Sequence, residues 1–137
     1  MRKTIYRRLS QREKEIIEKK IRKKIRKRRW VSGAYLFGSF VTRNYFRDID
    51  ILVIPRRKVP ERFLESLAWE IEREIGIEVD VKDFNRVSPK IRFFAMAYGK
   101  PIVVNQKNRL AMIKRGVISR YLDLRRLYDY HYKRLVG

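Results

Sequence analysis

Two aspartates one residue apart, Asp48 and Asp50, stand at the head of the apolar run Ile51-Leu52-Val53-Ile54. A run this apolar is destined for a core, where an unpaired carboxylate is costly. In a strand, residues i and i+2 project from one face. Asp48 and Asp50 therefore point one way while Ile49, Ile51 and Val53 point the other. Two like charges this close raise one pKa or force the strand apart unless a cation lies between them. Salt bridges to Arg43, Arg47 or the basic N-terminus would meet that need. So would a divalent metal, and all-oxygen ligation suits Mg2+ held by a couple of carboxylates plus phosphate oxygens. Asp80 lies mid-strand in Gly76-Ile-Glu-Val-Asp80-Val-Lys-Asp-Phe84, on the charged face opposite Ile77, Val79 and Val81. A neighbouring strand would bring it to the same place. Three carboxylates around two metal ions form a constellation for in-line phosphoryl or nucleotidyl transfer.

Just upstream, Gly38-Ser39 separates a short strand (Ala34 to Phe37) from a helical turn expected over Ser39 to Tyr45. Glycine lets a backbone approach a phosphate, serine adds a hydroxyl donor, and the N–H groups of the following turn point at an anion. The order strand, Gly-Ser turn, short helix and Asp-x-Asp strand places a triphosphate cradle beside metal ligands. That order is more specific than any one of its parts.

Gly38-Ser39, the spacer to Asp48-Ile-Asp50, and a later strand aspartate in Val79-Asp80-Val81 resemble the nucleotidyltransferase superfamily of DNA polymerase β. In size and layout the chain is similar to the minimal nucleotidyltransferases, some of which are antitoxins paired with a HEPN-domain toxin. The tail from Ser119 to Leu135 resembles their C-terminal helix. The resemblance implies that Gly38 and Ser39 hold the nucleotide phosphates and that Asp48 and Asp50 bind two Mg2+ ions. It implies that Asp80 binds one of these ions and activates an attacking hydroxyl. The reaction implied is transfer of a nucleoside monophosphate, commonly AMP from ATP, with a tyrosine of a HEPN partner as the foremost acceptor. The chain departs from its relatives in the loop. Val41, Thr42 and Arg43 stand where they often read Ala-Arg-Gly, and Arg47 replaces a serine common before Asp-x-Asp.

The remaining pattern predicts a small α/β (α+β) domain, with a mixed β-sheet flanked by helices and a long helix at the C-terminus. Ser10-Gln-Arg-Glu13 reads as a capping box for a helix to about Arg28, with Ile16, Ile17, Ile21 and Ile25 as its apolar stripe. Pro60 and Gly76 bracket a second helix, and Ser88-Pro89 and Gly99 a third. The tail repeats apolar residues from Leu110 to Leu135 at helical spacing, with Gly116 as a point to bend or split and His131 on the stripe as a packed or interface residue. One domain over residues 1–137 is expected: a basic helical arm 1–30, a catalytic core 31–105 and a C-terminal helix 106–137.

Charge bears on partners. Of the net +21, residues 1–30 contribute 15 Lys+Arg against 3 Glu. Such a segment favours polyanions, so contact with RNA or DNA through residues 1–30 stands beside the simpler reading of a solvated basic face. RNA or DNA as acceptor, or a catalytically inactive basic nucleic-acid-binding module, are therefore alternatives to a protein acceptor. Eight tyrosines, three of them in Tyr128-Asp-Tyr130-His-Tyr132, suggest helix packing or a homo-oligomer contact. With no Cys, thiolate chemistry is excluded, and with a single His the composition argues against a zinc site. No apolar run approaches a membrane span and no signal peptide precedes the domain, which predicts a cytoplasmic protein without a membrane partner.

Overall fold

The computed structural model describes residues 6–136. A capping box opens the first helix as its sequence requires. Ser10 Oγ accepts from the Glu13 N–H, the Glu13 carboxylate accepts from the Ser10 N–H, and α1 runs Gln11–Arg26. β2 (Val31–Phe37) follows and is longer than the Ala34-to-Phe37 segment expected, because Val31 to Leu36 are all buried. β1 (Arg7–Arg8) precedes α1. After β2 come α2 (Ser39–Thr42), β3 (Tyr45–Phe46), β4 (Ile49–Pro55) and α3 (Glu61–Ile75). β5 (Val79–Asp83), α4 (Pro89–Tyr98), β6 (Lys100–Val104) and α5 (Lys107–Val136) complete the order.

The main sheet has the order β5-β4-β2-β6, with β4 and β5 parallel and the other pairs antiparallel. Alternation along β4 divides the core in two. Ile49, Ile51 and Val53 pack with Ile21 and Ile25 of α1 and Leu67 and Ile71 of α3. Leu52 and Ile54 pack with Ala95 and Met96 of α4 and Leu110 of α5. α1 is thus a wall of the core through Ile21 and Ile25, although Ile16 of its expected stripe is exposed.

A second, two-stranded ladder pairs β1 with β3, which corrects the expectation that the turn after Gly38 stays helical to Tyr45. Helix ends at Thr42 because Arg43 is already extended, and Lys14 Nζ fastens the carbonyls of Phe40 and Arg43 at 2.8 Å each. α5 is one helix that passes through Gly116 without a break. Its first four turns pack on α4, where Tyr121 stacks on Phe93 with ring centroids 4.2 Å apart. Residues 122–136 are exposed, so His131, expected as a packed or interface residue, is not packed within the chain but lies at the surface beside Tyr130. No helix of the described residues is long and apolar enough to cross a membrane.

Candidate nucleotidyl-transfer site

The backbone positions the carboxylates. Asp50 takes the same face of β4 as Leu52 and Ile54, so it opens toward the α4–α5 side of the sheet. The parallel register sets Asp50 directly beside Asp80, and the antiparallel register sets it beside Phe37, the residue before Gly38. Asp48 precedes the first residue of β4. Five predicted site residues, Gly38, Ser39, Asp48, Asp50 and Asp80, thereby fall at one end of β2, β4 and β5.

Gly38 occupies backbone that side chains avoid, at φ 79° and ψ −159°. It also closes against the acid: a Cβ on Gly38 would collide with Asp50 Oδ2. α2 starts at Ser39, and the Gly38 carbonyl accepts from the N–H groups of Val41 and Thr42 and from Thr42 Oγ1. The N–H groups of Ser39 and Phe40 precede the first helical bond and so have no acceptor within the helix.

Electrostatics single out Asp50. Burial first, then the charges of Asp48 and Asp80, push its pKa up to about 6, against smaller opposing effects of Lys82 and Arg47. Among the described residues no cation lies within ion-pair distance of Asp48 or Asp50. Among the described residues Lys82 and Arg47 act on Asp50 only from beyond ion-pair distance, and Arg43 turns instead to the Tyr45 hydroxyl. Asp80 differs: Lys82 Nζ donates to its Oδ2 at 2.6 Å. Lys82 is thus drawn into the candidate site beside Asp80. Only the fold could show this, because i and i+2 on a strand pair only when both side chains lean together. Asp83 is committed elsewhere: it is buried, holds Arg86 at 2.9 Å and accepts from the Asn85 N–H.

A divalent cation fits this donor set in a specific way. Among the described residues no three acidic or histidine side chains are gathered closely enough to enclose a metal on their own, so the three-carboxylate cluster of Asp48, Asp50 and Asp80 expected from the sequence is not preformed. Asp48 and Asp50 instead form a pair of hard oxygen donors with no ion-pair partner among the described residues. That arrangement suits Mg2+, which is commonly held by one or two carboxylates with substrate phosphates completing the shell.

A cavity of about 300 Å³ lies farther along the same sheet face, lined by Phe84, Arg92, Ile113, Gly116, Val117 and Arg120 among others. Arg92 Nε donates to the Phe84 carbonyl, and its guanidinium lies 4.3 Å from the Phe84 ring centroid. Burial and then neighbouring Arg120 lower the Arg92 pKa. The sequence offered no signal for this cavity beyond Gly116, which read only as a point to bend or split the helix, because its walls come from elements distant along the chain.

A family model described as polymerase beta, nucleotidyltransferase matches residues 19–108. Among solved structures, the chain is similar to one in the complex of a tri-AMPylated Shewanella oneidensis HEPN toxin with an MNT antitoxin. That match has 22% identity, a TM-score of 0.72, and covers 90% of this chain and 99% of the other. It is similar to a chain of a toxin–antitoxin structure with AMP-PNP at 23% identity and TM-score 0.73, covering 88% and 98%. A Shewanella oneidensis structure matches at 17% identity and TM-score 0.67, covering 93% and 100%. At these identities the likeness establishes a shared fold. No curated protein gives a significant match.

Proposed function

The chain belongs to the polymerase beta nucleotidyltransferase family, and on that footing we propose that it transfers AMP from ATP to a hydroxyl of a protein partner. The observation that carries this reading is Asp50, its pKa raised by burial and then by Asp48 and Asp80, packed directly against the open backbone of Gly38. A protein keeps a destabilising carboxylate cluster where function needs it. Asp48 and Asp50 would hold Mg2+, whose bound charge would neutralise the triphosphate and polarise its α-phosphorus. Gly38 and Ser39 hold the phosphates through backbone N–H groups and a hydroxyl. Asp80 accepts the acceptor's proton as the new O–P bond forms and pyrophosphate leaves from the α-phosphorus. Lys82 steadies Asp80 before the acceptor arrives.

The cavity between α4 and α5 is the proposed place for the nucleoside. From Asp50 to Ile54 the strand advances about 13 Å on this face, which separates the phosphate end from Phe84 and the two arginines. A Cβ added at Gly116 meets nothing within 4 Å, so a larger residue would project into open space without breaking α5. Gly116→Leu is expected to raise the KM for ATP about tenfold through lost binding alone, with kcat little changed. Steady-state kinetics over a range of ATP would measure it, and an unchanged KM would place the nucleoside elsewhere.

The partner proposed is a HEPN-domain protein that offers a tyrosine, since this chain shares its fold with a chain of a complex that contains a tri-AMPylated HEPN toxin. The distal half of α5 supplies a surface for it. Leu124, Leu127, Tyr128 and Leu135 recur on one side of the helix, with Tyr128 and Leu135 72% and 85% exposed. Exposed apolar stripes of this kind mark docking sites. Leu127→Glu with Tyr128→Glu should abolish co-purification with such a partner. Surface changes of this kind ordinarily alter stability by less than about 0.5 kcal/mol, so the melting curve should hold. Incubation of the complex with labelled ATP and Mg2+, followed by mass spectrometry of the partner, tests the reaction itself. Label that fails to reach a tyrosine of the partner would refute the proposed acceptor.

A further inference from the structure

The cations of α1 are only partly occupied by structure. Between Arg12 and Arg29 the chain carries eleven Lys+Arg against three Glu. Lys14 fastens the α2 turn, Arg22 holds the Ile102 carbonyl at 2.9 Å, and Arg28 pairs with Glu70 at 2.6 Å. Lys19, Lys20, Lys23, Arg26, Lys27 and Arg29 face solvent. Several of them line two adjoining hollows. One, of about 470 Å³, is walled only by cations, from Lys19 to Lys27. Lys27 continues into the second, of about 580 Å³, where Arg29 and Arg62 stand around Trp30 and Phe63. The two rings are half-buried with centroids 5.8 Å apart, and the Arg62 guanidinium lies 5.7 Å from the Phe63 ring centroid.

We infer that this tract binds single-stranded RNA, with phosphates along the α1 cations and an unpaired base against Trp30 and Phe63. A surface that served only solubility would not end in a concave aromatic wall. An anionic membrane would call for several exposed apolar side chains around the cations, whereas Ser66 and charged residues form this rim and α1 and α3 expose just one large apolar residue each, Ile16 and Trp69. A polymer that alternates phosphate with a flat ring matches both hollows at once. A duplex keeps its bases stacked inside, and unpaired bases are a standing feature of folded RNA. The tract also lies on the α1–α3 side of the sheet, opposite Asp50. The strand it holds is therefore a tether and not the acceptor, and this inference stands apart from the nucleotidyl-transfer reading.

The test is titration of the full chain with a labelled U20 RNA over a range of salt. Each phosphate contact in a single strand adds about 0.7 to the slope of log affinity against log salt. Lys23→Ala with Arg26→Ala and Lys27→Ala should lower that slope by about 2 and weaken binding at least tenfold. Loss of the base contact in Trp30→Leu should cost about tenfold with the slope unchanged. Trp30 also packs on the core, so Arg29→Ala with Arg62→Ala is the companion variant and should weaken binding without touching buried residues. In a Trp69→Phe background Trp30 is the single tryptophan, and RNA should quench its fluorescence. All these variants should keep AMP transfer intact. Unchanged affinity and slope in the triple variant would overturn the inference. So would equal affinity for duplex RNA, tighter binding of dT20, or preferential capture by phosphatidylserine vesicles.

Discussion

Asp50→Asn is expected to abolish nucleotidyl transfer while making the metal-free protein more stable above about pH 6. The loss of activity should be on the order of a thousandfold or more, since a ligand for the charge-neutralising cation is gone. The stability gain follows from the raised pKa of Asp50, about 6 in the fold against 3.8 for the free group. A group raised in this way favours the folded state most fully below pH 3.8, where it is protonated in both states. That contribution is lost as pH rises through about 6, because folding then buries a charge and sets it beside Asp48 and Asp80. Asparagine carries no such charge at any pH. Solvent screening of a half-buried group cuts the full linkage value, so we expect about 1 kcal/mol, or roughly 4 °C in Tm, at pH 7.5. The difference should close toward pH 4. Thermal melts of both proteins in EDTA across that range check it, and a variant less stable at pH 7.5 would show that Asp50 is a structural residue. Mg2+ with a non-hydrolysable ATP analogue should then stabilise the wild type and leave Asp50→Asn unmoved.

Gly38→Ala carries the second large effect, and it acts on both fold and chemistry. Its backbone region is almost exclusive to glycine, so alanine costs of order 1–3 kcal/mol. The new Cβ would also strike Asp50 Oδ2 and displace the carboxylate that the site is built around. Displacement by about 1 Å is enough for a hundredfold loss in rate. Gly76 provides the control. It too has positive φ, 70°, as the C-cap of α3, but a Cβ there meets nothing within 4 Å. Gly76→Ala should therefore lower stability by about 1 kcal/mol and leave kcat near its original value. Equal losses of kcat in the two variants would mean that Gly38 matters only for folding. Ser39→Ala should be milder than Gly38→Ala, about tenfold in kcat/KM, because one hydroxyl donor is lost while backbone donors stay.

The helices were legible because their signals are local. Ser10 with Glu13, Ser88 with Pro89, and Gly76 each act within one turn, and the structure places each at the end it announced. The distal end of α5 shows the limit of that reading. Periodicity put Leu124, Tyr128, His131 and Leu135 on one face, but periodicity cannot say whether anything covers the face. The β1–β3 ladder was illegible for a similar reason. Two residues give no alternation to read, and their pairing partner lies almost forty positions away.

At the site itself, the sequence alone determined which side chains could serve. Strand alternation gave Asp50 and Asp80 their faces, and only a glycine could take the backbone adopted at position 38. What tertiary structure decided was proximity and charge balance. The parallel register set Asp80 beside Asp50, the turn brought Gly38 against that carboxylate, and Lys82 closed on Asp80 and not on the Asp48–Asp50 pair. Alternation and φ are properties of a few consecutive residues. Which strand lies beside which, and where each cation ends, depends on packing summed over the whole core, and no short window of sequence contains that sum.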